Sequence, residues 1–142
     1  MAFYIDTSAL VKLVSAEPET QALQTWQFQK DRDLVAGDLG QTELLRAARK
    51  LTPAHVQVAR EVLDSMLLMR LGERVFKQAG FLDPHSLRSL DAIHLATALD
   101  LGHDLEGIVT YDTRLAEAAV HNGVRVVSPG ARLLPSLRPH EG

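Results

Sequence analysis

The 142-residue chain contains no cysteine. Disulfides and thiolate metal sites are therefore excluded, and the absence fits a cytoplasmic protein. No apolar run is long enough to span a bilayer, so no membrane association is expected. The first residues lack a basic stretch followed by a long apolar one, so no secretory signal is expected either. Excess positive charge is also missing. Fifteen Lys and Arg stand against eighteen Asp and Glu, for a net charge of −3. That balance rules out a simple basic coat for nucleic acid. Internal repeats and low-complexity segments are lacking too. What remains is an ordinary globular composition, 46% apolar and 23% charged. It is enough to bury the core of one domain.

Strand and helix signals alternate. "AFYI" reads as a buried strand, and "TSALVKLVSAE" has the spacing of a helix. "EPETQALQTWQFQK" predicts a second helix with Leu23, Trp26 and Phe28 partly inward. "DLVAG" predicts a strand, and "DLGQTELLRAARKL" a helix with Asp38 as its N-cap. Thr52-Pro53 opens a further helix carrying Val56, Val58, Leu63, Met66 and Leu67. "MRLGE" is a weak strand and "RVFKQAGF" a short helix. "SLRSLDAIHLATALDLG" is a helix apolar nearly all round, closed by Gly102. "GIVTY" predicts a strand, "DTRLAEAAVHNG" a helix capped by Asp112 and ended by Gly123, and "VRVVSP" the last strand. Residues 1–130 form the expected domain, with 131–142 an irregular tail. This order predicts an α/β fold, with a mainly parallel central sheet covered on both faces.

In such sheets, sites form beyond the carboxyl ends of the strands. Asp6 ends the first strand and Asp112 ends "GIVTY", so both emerge on one edge. Glu43 and Asp91 sit on helices among apolar neighbours, where a carboxylate is costly unless paired or metal-bound. Each acid also has a structural reading. Asp112 suits a helix cap, Asp91 suits the positive end of a helix dipole, and Glu43 can pair with Arg46. Together, four acids with few matching cations suit a hard divalent ion, which can then attract a phosphate.

The stretches "YIDTSALVKL", "TELLRAA", "LDAIHLATAL", "VTYDTRLAEAA" and "VRVVSPG", in this order and spacing, resemble the PIN-domain ribonucleases of the VapC toxin type. The likeness spans nearly the whole chain. It implies a three-layer α/β/α sandwich and cleavage of RNA dependent on Mg²⁺ or Mn²⁺. It also implies a homodimer, and inhibition by a small VapB-type antitoxin of a type II toxin–antitoxin system. Carried over residue by residue, Asp6, Glu43, Asp91 and Asp112 would hold one or two metal ions. Thr7, Ser8 and Thr110 would support them by hydrogen bonds, or else start the helix and end the strand. Arg114, two residues past Asp112, reads either as an ordinary surface arginine or as a contact for phosphate. His94 reads as a satisfied residue of a packed helix rather than a zinc ligand.

Two rivals fail on single residues. A receiver domain needs a lysine in a late strand, and neither "GIVTY" nor "VRVV" has one. An aspartate-nucleophile phosphatase needs a second Asp where Ser8 stands. A catalytically silent PIN-fold RNA-binding or regulatory module is the remaining alternative.

Overall fold

In a computed structural model, residues 1–30 and 32–131 are described. The expected tail, apart from Ala131, lies outside the described residues. Five short strands make one sheet: β1 (Ala2–Ile5), β2 (Leu34–Gly37), β3 (Leu67–Met69), β4 (Leu105–Val109) and β5 (Val126–Val127). Their order is β3-β2-β1-β4-β5, and every neighbouring pair is parallel. The helices are α1 (Thr7–Val14), α2 (Thr20–Gln29), α3 (Asp38–Arg49), α4 (Pro53–Asp64), α5 (Glu73–Gly80), α6 (Ser89–Leu99) and α7 (Thr113–His121).

The two-residue period of β1 divides the core. Phe3 and Ile5 face one side and pack with Leu10, Leu23, Leu44 and Leu63 from α1 to α4. Tyr4 faces the other side, with Leu95 of α6 and Leu115 and Ala118 of α7. The sheet is thus buried on both faces, which is why "AFYI" and "LVAG" are continuous apolar runs rather than alternating ones. Trp26 meets the Phe3 ring edge-on, with centroids 4.9 Å apart. Truncating a fully buried leucine such as Leu10 or Leu95 to alanine costs about 2–5 kcal/mol in cores of this kind.

After β1 the chain continues to β2 on one side, and after β4 to β5 on the other. The carboxyl ends of β1 and β4 therefore flank the point where the strand order reverses, the preferred crevice of open parallel sheets. Asp6 and Asp112 each follow one of these two strands.

Several expected boundaries shift. Asp38 is the first residue of α3 rather than its cap. Gly37 occupies the cap, and an Asp38 oxygen accepts the Leu71 amide at 3.1 Å instead. The third strand is Leu67–Met69 rather than "MRLGE", because α4 ends at Asp64 and frees this apolar run to pair with β2. β4 stops at Val109, so Thr110 and Tyr111 lie past the strand. α6 ends at Leu99, and Gly102, at φ +58°, belongs to the following 3-10 turn. Phe28 is 72% exposed, because the buried stripe of α2 runs through Leu23 and Trp26, and Phe28 falls off it. Thr52 caps α4 and Asp112 caps α7, as the sequence leads one to expect.

Candidate active site

Asp6 is 4% exposed, yet it carries a carboxylate. Three donors explain how it is tolerated. Its Oδ1 accepts the Ala9 amide at 3.1 Å, making Asp6 itself the N-cap of α1. The same oxygen accepts the Ser8 hydroxyl at 2.7 Å, and Oδ2 accepts the Thr110 hydroxyl at 2.7 Å. Burial nevertheless wins and raises the carboxyl's pKa above the ordinary range, against the pull of these donors and of His94. Ser8 and Thr110 have a second task. The Ser8 oxygen accepts the Tyr111 amide at 2.9 Å, and the Thr110 oxygen accepts the Asp112 amide at 3.0 Å. Asp6 thereby orders the loop that carries Asp112.

Glu43 reaches the site from α3. Its Oε1 accepts the Thr7 hydroxyl at 2.7 Å and lies 2.7 Å from His94 Nε2. The hydrogen bond from His94 lowers the Glu43 pKa most, with burial opposing and Thr7 helping. An ionised carboxylate only accepts, so the shared proton is assigned to Nε2. The other imidazole nitrogen, Nδ1, lies 2.7 Å from the Tyr4 hydroxyl. His94 is 4% exposed and joins the central strand to Glu43. It is the site residue that sequence reading assigned to ordinary packing. The visible signal was its place three residues after Asp91 on one helix face. The expected Glu43–Arg46 pair is not formed among the described residues.

Asp91 lies in the first turn of α6 and is partly buried. Burial raises its pKa most, and the Asp112 carboxylate adds to that. His94 and Arg88 pull it down, and Glu43 pushes it up. Asp112 caps α7 through Oδ1, which accepts the Arg114 amide at 2.9 Å and the Leu115 amide at 3.3 Å. The Arg114 side chain is exposed.

The charges of Asp112 and Glu43 reach Asp91, and that of His94 reaches Asp6, Glu43 and Asp91, but the four acids do not form a closed cage. Among the described residues, no three Asp, Glu or His side chains gather closely enough to hold an ion between them. Mg²⁺ does not need such a cage. It typically takes one or two carboxylates and completes its shell with water and substrate phosphate. The donor chemistry fits. Glu43 and Asp112 each use one oxygen in the hydrogen bonds above, which leaves the other free of protein donors among the described residues. Asp91 keeps both free.

The PIN domain family matches residues 3–121. Ribonuclease VapC47 of Mycobacterium tuberculosis (strain CDC 1551 / Oshkosh) is 43% identical over 132 residues, covering 90% of this chain and 97% of that protein. Ribonuclease VapC46 of Mycobacterium tuberculosis (strain ATCC 25618 / H37Rv) is 41% identical over 128 residues, covering 90% and 98%. A chain of a toxin–antitoxin complex from Klebsiella pneumoniae superposes with a TM-score of 0.67 at 26% identity, covering 90% of this chain and 98% of that one. Mycobacterium tuberculosis VapC20 superposes with a TM-score of 0.65 at 17% identity, covering 82% and 95%, and shares the fold. The chain belongs to the PIN-domain family, alongside the VapC ribonucleases.

Proposed function

We propose that this chain is the toxin of a toxin–antitoxin pair, an endoribonuclease that cleaves RNA phosphodiester bonds with Mg²⁺ or Mn²⁺ held by Asp6, Glu43, Asp91 and Asp112. The carrying observation is that Asp6 and Asp112 follow β1 and β4, the two strands that flank the point where the strand order reverses. Burial and the neighbouring carboxylates also raise the proton affinity of Asp91, although His94 and Arg88 oppose them. An acid cluster that remains under-neutralised is suited to a divalent cation, and the cation then favours a phosphate. The ribonuclease names of the relatives and the toxin–antitoxin origin of a structural neighbour support the same reading.

A bound Mg²⁺ would supply Lewis acidity and counter-charge for in-line attack of water on the phosphodiester. The chain's own groups do the positioning. Thr110, Ser8 and the Ala9 amide fix Asp6, and the Arg114 and Leu115 amides fix Asp112. Thr7 and His94 hold one oxygen of Glu43, and the other has no protein donor among the described residues. Orientation of this kind is most of what a protein contributes to phosphoryl chemistry.

The proposed partner is a small VapB-type antitoxin that places an arginine or lysine against the acids, in the position of the cation. A homodimer is part of the same proposal. The exposed Phe76, Phe81 and Leu90, on or beside the adjacent helices α5 and α6, give it apolar surface to bury. No helix among the described residues is long and apolar enough to cross a membrane. Action on RNA in the cytoplasm is the proposed setting.

The test is cleavage of labelled RNA by the purified chain in Mg²⁺, Mn²⁺ or EDTA, beside Asp6→Asn and Asp91→Asn. Cleavage that needs the cation and both acids supports the proposal. Undiminished cutting in EDTA, or by both variants, overturns it. RNA binding without cutting under every condition favours the silent module.

A further inference from the structure

A cleft of about 650 Å³ lies between the segment leading into α6 and one face of α7. Its lining includes Ser86, Leu87, Arg88, Arg114, Glu117 and His121. The walls are built rather than incidental. Leu82 and Leu87 pack into the core beneath, and the Leu87 amide donates to the Pro84 carbonyl at 3.0 Å. The Asn122 side-chain amide donates to the carbonyls of Asp83 at 2.9 Å and Ala118 at 2.8 Å, fastening this segment to α7.

The position of the two arginines is informative. Arg88 precedes Asp91 by three residues, and its charge reaches that carboxylate. Arg114 follows Asp112 by two residues, and its backbone amide is bound to it. Both arginines line the same cleft, Arg88 with its charge reaching Asp91 and Arg114 two residues past Asp112 in the first turn of α7. Neither pairs with a carboxylate among the described residues, although Glu117 lines the cleft with them. With two positive groups against one negative, the cleft reverses the sign of a chain whose net charge is −3.

We propose that this cleft binds the phosphates of a single RNA strand next to the scissile bond, so that the strand runs from the acids between Arg88 and Arg114. Guanidinium forks match phosphate oxygens in pairs and stay charged at every working pH. The volume is that of sites for drug-sized ligands, which suits a nucleotide or two of a single strand. Glu117 tempers the affinity by repelling the same phosphates. This inference rests on the ribonuclease reading of the adjacent acids.

The experiment measures binding of a short fluorescent single-stranded RNA to the full chain in EDTA, across a salt series, by anisotropy. Arg88→Gln and Arg114→Gln are expected to weaken binding. Each should reduce the slope of log affinity against log salt by about 0.7, the loss of one phosphate contact on a single strand. Glu117→Gln is expected to tighten binding, which damage to the fold would not produce. Arg60→Gln, on α4, should leave it unchanged. With Mg²⁺ present, the arginine variants should lose activity mainly through KM. Wild-type affinity and slope in the Arg88→Gln/Arg114→Gln double variant, with no gain from Glu117→Gln, would overturn the cleft even where cleavage still requires Asp91. Conversely, if the variants shift RNA binding as expected but no condition yields cleavage, the cleft stands and the ribonuclease reading fails.

Discussion

The Thr110 hydroxyl donates to Asp6 Oδ2 at 2.7 Å and at the same time accepts the Asp112 amide at 3.0 Å. One hydroxyl thus fixes the carboxylate after β1 and the backbone after β4. Thr110→Val keeps the side-chain shape and removes both bonds. It should cost about 1–3 kcal/mol of stability, the range for a buried polar group left without its partner. It should also lower RNA cleavage, because the Asp112 loop loses its anchor. Urea unfolding alongside a cleavage assay checks both; wild-type values in each would remove Thr110 from the site.

Burial raises the Asp6 pKa above its ordinary 3.8, so the folded protein holds that proton more tightly than the unfolded chain does. The resulting stability is present below the unfolded value and is lost as pH rises through the raised folded value. Asp91 has the same sign. Glu43 has the opposite one: its pKa is lowered below 4.5, so its contribution is present above that value and lost as pH falls through the depressed one. In EDTA, Asp6→Asn should melt above wild type at pH 8, with the gap narrowing toward pH 4. Adding Mg²⁺ should raise the melting temperature of wild type more than that of the variant. Parallel melting curves at all pH values would contradict this account.

His94 connects Tyr4 and Glu43 through its two ring nitrogens. His94→Ala would leave the buried Tyr4 hydroxyl without this partner and open a cavity, for a loss of about 2–5 kcal/mol. Tyr4→Phe removes one hydroxyl and should cost about 1 kcal/mol. If His94 orients Glu43, a folded His94→Gln variant should bind Mg²⁺ about 10–100-fold more weakly, the usual consequence of losing a ligand's supporting hydrogen bond. Calorimetric Mg²⁺ titration distinguishes that outcome from a purely structural role, which would leave the affinity intact.

A basic antitoxin side chain lying against the acids would compete with Mg²⁺ for the same oxygens. Raising Mg²⁺ should therefore partly relieve inhibition. Replacing that arginine or lysine by alanine should restore cleavage. Full inhibition by every such variant would point to blocked RNA access instead.

The placement of Asp6 and Asp112 was more legible in the sequence than the contacts around them. Asp6 and Asp112 were placed on one edge because the apolar runs before them could only be buried strands, and parallel strands share a carboxyl end. The His94–Glu43 contact was not legible. It depends on how α3 and α6 approach across the β1 edge, and no spacing within either helix encodes that approach. Asp38 was misread for a related reason: a carboxylate beside a helix start suggests a cap until the Leu71 amide arrives from β3's side of the sheet. Phe28 was misplaced because one aromatic near a helix end fixes no phase.

The bond between Thr110 and Asp6 spans 104 residues of sequence. Closing so long a loop is entropically unfavourable until strand pairing offsets it, and such contacts form late in folding. During synthesis Asp6 emerges before Asp112 and the hydroxyl that sets its loop, because Thr110 lies 104 residues further on. A partial chain holds one acid with nothing opposite it. The acid site therefore assembles only once β4 has docked against β1, so a chain that stops before β4 holds Asp6 without its partners.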